Sequence, residues 1–395
     1  MGALHGDSPQ AVRAVELFLR VASPTAASAI DNFLSSRHPG STLDDFLLTH
    51  LRRQLRHGED PGPFTGEWQA FASGAMSKAR ANASELAWIQ WRAFGGEHDN
   101  ALPLHALPPG EDAASSVSRL GVVRMDGCLS AASAESLRAF VLATRDESVA
   151  VAAVDKRAGA ERLSRVLSPR DVGSEFETRW DVRLPWAPIV REAVHEVLGA
   201  RDDPASLGRA LCALSGGDSA ELFECAAVIS TEGCAPQILH ADTVQTDAGA
   251  VLHTVFVALQ DIGAHQGPTR FLPYTHTCTR SHSELERDTH EAAFCEGIQS
   301  VVALLRSGDG TLYDSRILHC GGPHLEPPQP PPTASSREQH PSIVPVERVL
   351  FYISFKHALA TDAELTNSDV HDAGSILPSV AAARMRLGEL RSRKV

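Results

Sequence analysis

The chain has 395 residues, 43% of them hydrophobic and 22% charged, and carries a formal net charge of −13. That is an ordinary balance for a globular chain able to bury a core, with length for about two to three domains of roughly 100–200 residues. The acidic excess excludes the basic footprint of a nucleic-acid or anionic-lipid binder, although a local basic patch stays open.

The N-terminus, Met1-Gly2-Ala3-Leu4-His5-Gly6, lacks the basic and apolar regions of a secretory signal. Gly6 also stands where a myristoylation motif wants Ser or Thr. Residues 1–97 are expected to be helical. Ser8-Pro9 opens a first helix carrying Val12, Val15, Phe18 and Leu19, and others are expected over 25–35, 42–57 and 68–94. Trp88 and Trp91 share one face and read as core packing rather than as a ligand-stacking pair. The region has no evident role of its own, and a protein partner could dock on it.

A loop rich in Pro, Gly, Asp and Glu follows, and 98–116 is expected to be a linker leading into a domain over 117–360. That domain opens with a short strand and turn over Leu120–Leu129, then a helix from near Ser133 bearing Leu137, Phe140 and Val141. Trp186 to Gly199 predicts a helix, with Pro188 in its first turn and Gly199 ending it. From Leu222 the character changes to short apolar runs, over 222–230, 236–241, 251–261, 269–272, 299–305, 311–319 and 347–357. Strands in that rhythm, without βαβ alternation, predict an all-β sandwich or barrel core. Pro327–Pro345 is low-complexity and proline-rich, and is expected to be a flexible insertion. The tail, 361–395, carries a helical stretch around 380–390.

The seven cysteines are scattered, with no C-x-x-C pair, and read as reduced thiols. No run approaches the roughly 18 apolar residues of a membrane span. The expectation is a cytoplasmic protein, organelle import left open, that partners neither nucleic acid nor membrane.

The chemistry centres on Gln237-Ile-Leu-His-Ala-Asp242. On a strand, residues i and i+2 face the same side, so His240 and Asp242 can hold one metal together. A second His from another strand would complete the two-His, one-carboxylate triad of non-haem Fe(II) oxygenases. The pair alone is weak, since about one H-x-D is expected by chance among 18 histidines, and His5-Gly6-Asp7 is such a coincidence. Its context carries more. After His240 come a strand over 251–262, then Gly267-Pro-Thr-Arg-Phe-Leu-Pro-Tyr-Thr-His276, then Gly308-Asp-Gly-Thr-Leu-Tyr-Asp-Ser-Arg-Ile-Leu-His-Cys-Gly-Gly322, then the Arg-led run Arg348–Phe355.

This ordered set resembles the phytanoyl-CoA dioxygenase family of 2-oxoglutarate oxygenases, over roughly Leu120 to Lys356. The resemblance implies an α+β chain whose catalytic core is a double-stranded β-helix, or jelly roll, with flanking helices. It implies His319 as the distal iron ligand, preferred over His276, His324 and His357 because it alone sits in D-x-R-x-x-H-x-G-G. It implies Arg348 as the partner of the far carboxylate of 2-oxoglutarate, a role suited to a guanidinium fork. The proline-rich insertion sets Arg348 29 positions after His319, a tolerable excursion because loop closure costs grow only logarithmically. Gln237 and Thr254 are candidates to face co-substrate or substrate. Arg316 fits a structural ion pair with Asp314 or Asp309 at least as well as a role in the site, and Arg179 reads first as a structural cation.

The implied activity is an Fe(II)-, O2- and 2-oxoglutarate-dependent dioxygenase that hydroxylates a small organic molecule and releases succinate and CO2. Asp242 favours hydroxylation over halogenation, which needs a small residue there. A catalytically silent metal-binding scaffold and a cupin-like non-oxygenase are the rivals. Serine hydrolase and nucleotide-binding readings fail, since G-x-S-x-G, G-x-x-x-x-G-K and G-x-G-x-x-G are absent.

Overall fold

The apolar runs after Leu222 form strands of two sheets, except 236–241, which makes only an isolated antiparallel bridge through His240. The computed structural model describes residues 87–88, 91, 102–155, 158, 162–164, 178–199, 206–243, 249–278, 299–325, 347–361, 377–381 and 383–392. All belong to one unit, Leu86–Val395. The helices expected before residue 86 and the insertion at 327–345 lie outside the described residues.

In chain order the elements are β1 (Leu102–Pro103), α1 (Ala113–Leu120), β2 (Val122–Met125), α2 (Ala131–Val154), β3 (Leu163–Ser164), β4 (Arg179–Arg183), α3 (Pro188–Leu198) and α4 (Leu207–Leu214). They continue with β5 (Glu221–Ser230), β6 (Leu252–Ala258), β7 (Thr269–Leu272), β8 (Val301–Val302), β9 (Gly310–Asp314), β10 (Leu318–Gly321), β11 (Arg348–Lys356), α5 (Pro378–Ala381) and α6 (Leu387–Arg391). The larger sheet runs β2-β9-β6-β11-β5-β4-β3 and the smaller β1-β8-β7-β10. Every pairing is antiparallel except β1 with β8.

Strand parity builds the layers. Along β11, Val349, Phe351, Ile353 and Phe355 join a cluster with Leu137, Val190, Val194 and Leu211 of the helices. The alternate residues Leu350 and Tyr352 join Ala226, Val228, Tyr313 and Phe271 in a second cluster between the sheets. Helices therefore cover one face of the larger sheet, and the smaller sheet covers the other, as in a jelly-roll core. The far side of the smaller sheet is covered in turn by Trp91, packed with Leu239, Leu272, Leu318 and Cys320. Its indole also lies under Arg270, 4.3 Å from ring centroid to guanidinium carbon. Core packing is thus the observed role of Trp91.

Several local differences from expectation have clear causes. Part of the stretch expected as a linker is ordered: Asp112 accepts from Ser115 N at 2.8 Å and starts α1 at Ala113, which Gly121 ends at φ 88°. The run over 311–319 is two strands, because the Asp314 carboxylate accepts from Arg316 N at 2.9 Å and turns the chain from the larger sheet into the smaller. The tail helix is two short pieces, α5 and α6, divided around Arg384 at φ 46°. Pro188 and Gly199 bound α3 as expected. Among the described residues no helix is long and apolar enough to cross a membrane.

Two predictions follow from this frame. His253 on β6 is 2% exposed, its Nδ1 is 3.1 Å from Ser215 Oγ, and burial pushes its pKa down to about 4. The unfolded chain, with an ordinary histidine near 6.5, binds that proton first. Stability held above pH 6.5 is therefore lost as pH falls toward 4, by up to about 3 kcal/mol. Denaturant melts between pH 7 and 4 should show this slope, and His253→Gln should flatten it. Tyr274 holds φ 69° while 59% exposed, a left-handed conformation that strains an L side chain. Tyr274→Gly should raise stability by roughly 0.5–1 kcal/mol in thermal melts.

Candidate metal centre

Residues 237–240 run alongside β10. His240 N donates to His319 O at 3.0 Å and His319 N returns to His240 O at 2.8 Å, so the two histidines form a hydrogen-bonded antiparallel pair. Gln237 N donates to Gly321 O at 2.9 Å, and its side-chain Oε1 accepts from Gly321 N at 2.7 Å. Beyond His240 the backbone is tied down again, with Asp242 N on Ser315 O at 2.8 Å and Thr243 Oγ1 2.6 Å from Ser315 Oγ.

This anchoring brings His240, Asp242 and His319 together, with one donor atom from each lying within 4.8 Å of the others. Asp242 Oδ1 is 3.7 Å from His240 Nε2 and 3.6 Å from His319 Nε2. Ligands at about 2.1 Å from one ion, at angles between right and tetrahedral, stand roughly 3–3.5 Å apart, so a small contraction would close the set. The tautomers fit as well. His240 Nδ1 lies 2.7 Å from Ile238 O and His319 Nδ1 lies 3.0 Å from Ile317 O. Each carbonyl accepts from Nδ1–H, so Nε2 is the ring nitrogen turned toward Asp242. Two imidazoles and one carboxylate suit a first-row divalent ion such as Fe(II).

The surroundings are aromatic. Phe271 stacks on the His319 ring at 5.6 Å, and the Tyr313 ring lies 5.2 Å from it. Burial and the neighbouring Asp242 raise the Tyr313 phenol well above its usual range.

Arg348 opens β11 opposite Ser230, and Arg179 on β4 faces the same Ser230 from the other side. Arg348 is 2% exposed, donates from Nη1 to Gly267 O, and has no partner for Nε among the described residues. Burial and the like charge of Arg179 push its pKa down to about 9. Arg179 donates to Ala235 O at 3.0 Å and Gly322 O at 3.3 Å, so it braces the backbone on both sides of the site. Gly322 lies three residues beyond His319, roughly 10 Å along an extended chain. The paired glycines of the motif have a steric reason. A Cβ at Gly321 would meet Gln237 Oε1 at 2.7 Å, and one at Gly322 would meet the Trp91 ring at 2.7 Å.

Of the other sequence candidates, Thr254 is 1% exposed and its Oγ1 lies 2.9 Å from Ser354 Oγ, while Gln237 caps the backbone of β10. Arg316 pairs with Asp314 at 2.7 Å, and Asp309 pairs instead with Arg124 at 2.8 Å. His276 and His324 turn a ring nitrogen to Ser118 O and Ser230 O. Sequence reasoning missed Tyr313, which donates to Asp242 Oδ2 at 3.0 Å. Its parity in the strand before the D-x-R turn was the available signal.

Residues 117–326, just over half of the chain, match the family model described as phytanoyl-CoA dioxygenase. The chain belongs to the phytanoyl-CoA dioxygenase family. His240, Asp242 and His319 fall inside that match, and Arg348 lies beyond it. No curated protein matches the chain. Among solved structures, this family member is similar to the epimerase SnoN in complex with Fe3+, alpha ketoglutarate and nogalamycin RO, at 18% identity and TM-score 0.39 over 62% of this chain and 82% of that one. It is similar to the carbocyclase SnoK from nogalamycin biosynthesis, at 15% identity and TM-score 0.43 over 72% and 93%. It is also similar to HygX from Streptomyces hygroscopicus with nickel and 2-oxoglutarate bound, at 16% identity and TM-score 0.42 over 68% and 96%.

The donor set yields a direct expectation. Calorimetric titration with Mn(II), under conditions where iron chemistry is silent, should show one site. His319→Ala or His240→Ala should weaken it by at least 100-fold, since each removes one of three protein ligands.

Proposed function

We propose that the protein is an Fe(II)- and 2-oxoglutarate-dependent dioxygenase that hydroxylates a small organic molecule. The balance is one 2-oxoglutarate, one O2 and one C–H bond giving succinate, CO2 and an alcohol. The carrying observation is the pairing of two groups in one core: a His-Asp-His set with both Nε2 atoms turned toward Asp242 Oδ1, and a buried arginine that no described carboxylate neutralises.

His240, Asp242 and His319 would hold Fe(II), which when bound supplies O2 activation coupled to oxidative decarboxylation. The chain's own contribution is binding, orientation and exclusion of water. Three protein ligands leave positions for the 2-oxo acid end of the co-substrate. A buried cation without a counter-charge is expensive, and an incoming carboxylate removes that cost. Arg348 would take the far carboxylate, with Ser230 beside it and Arg179 adding positive potential. Asp242 supports hydroxylation over halogenation, because its carboxylate fills the place a halide would need. Gln237 acts here by holding β10 in register, and Thr254 by lining the interior behind Tyr313.

Uncoupled turnover offers the first test: Fe(II)-dependent succinate release from 2-oxoglutarate, alone and across a panel of small molecules. His240→Ala or Asp242→Ala should abolish release, and undiminished release by either would end the reading. Arg348→Met should raise the KM for 2-oxoglutarate about 10- to 100-fold, the worth of a charge-assisted hydrogen-bonded pair. Its thermal stability should hold or rise, since a well-packed apolar side chain replaces an uncompensated cation. Metal binding without any affinity for 2-oxoglutarate would favour the cupin-like rival, and 2-oxoglutarate binding without turnover the silent scaffold.

A further inference from the structure

Tyr313 is the part of the centre that neither the donor set nor the arginine accounts for. It is 1% exposed on β9, facing the space between the sheets. Phe256 meets its ring edge-on at 5.1 Å and Phe271 packs on it at 5.3 Å, so the phenol has one direction available. Its hydroxyl donates to Asp242 Oδ2 at 3.0 Å. The other carboxylate oxygen, Oδ1, is the one 3.6–3.7 Å from both imidazoles. The two oxygens of Asp242 are thus assigned to different neighbours.

A line of hydroxyls stands behind the phenol. Thr254 Oγ1 is 2.9 Å from Ser354 Oγ, and Ser354 donates to the buried Glu224. With Tyr313, all of these side chains are 3% exposed or less. Ser354 gives its proton to Glu224 and so accepts that of Thr254, which leaves Asp242 as the partner of the phenol proton.

We propose that Tyr313 is a positioning residue that keeps Asp242 a one-oxygen ligand. The inference rests on the metal reading above. A carboxylate can bind a divalent ion through one oxygen or both. With both, Asp242 would take a position that the bidentate 2-oxo acid or O2 requires. A hydrogen bond to a charged acceptor stabilises by about 1.5–3 kcal/mol, enough to hold Oδ2 away from the ion. Hydrogen-bond partners of ligating carboxylates typically alter metal-site properties 10- to 100-fold when removed.

Tyr313→Phe tests this, because it deletes the hydroxyl and keeps the ring that packs on Phe256 and Phe271. Mn(II) serves as the oxygen-inert probe. Infrared difference spectra on adding Mn(II) to the wild type should show the widely split carboxylate bands of one-oxygen ligation. The variant should show a narrowed splitting, and calorimetry should find 2-oxoglutarate bound to Mn(II)-loaded variant about tenfold more weakly. Wild-type binding with unchanged bands and unchanged affinity in Tyr313→Phe overturns the proposal alone. A wild-type chain that takes up no Mn(II) overturns the metal reading and the proposal together.

Discussion

The centre depends on one small element, the reciprocal pair of backbone hydrogen bonds between His240 and His319. Two residues that exchange both N–H···O bonds across antiparallel chains place their side chains on the same face at a fixed separation. Their imidazoles stand 4.6 Å apart, between centroids, before any ion is considered. The register that fixes them also sets Gln237 against Gly321, so a slip by one residue would turn both histidines out of the site. Geometry that a metal might otherwise have to impose is already supplied by the fold.

What surrounds that pair divides the chemistry between two ends of the same interior. At one end are acceptors, with both imidazoles made into acceptors by their own preceding carbonyls. At the other are Arg179 and Arg348 on either side of Ser230, donors whose mutual repulsion is relieved by an anion. On the proposed reading, a dicarboxylate with a chelating end would match that polarity in one orientation, set by the strand order with β5 between β4 and β11.

The strands from 222 to 357 were legible because each is a short apolar run closed by Gly, Pro or Asp, and burial on both faces leaves a continuous apolar pattern. The candidate metal-binding residues His240, Asp242 and His319 were legible because the motif fixes both spacing and order. Less could be read before residue 222. β4 is only five residues long, with Trp180 and Val182 on the helix-covered core alternating with Arg179, Asp181 and Arg183, and β3 is only two residues long. α1 was hidden because Ala113-Ala-Ser-Ser116 reads like a continuation of the preceding loop unless Asp112 is seen as a cap. Tyr313 was missed for a different reason. Its partner Asp242 is 71 residues away, and only the packing of β9 against the 240–243 segment shows that they meet.

Trp91 and β11 bracket the stretch that matches the family, one before it and one after. The indole closes the outer face of the smaller sheet over Gly322, and the strand sits at the centre of the larger sheet and starts at the buried arginine. A protein trimmed to the homologous segment would keep His240, Asp242 and His319 while exposing the underside of one sheet and splitting the other down its middle. The segment that matches the family is therefore smaller than the compact unit around the site. Expression boundaries belong outside both the tryptophan and the last strand.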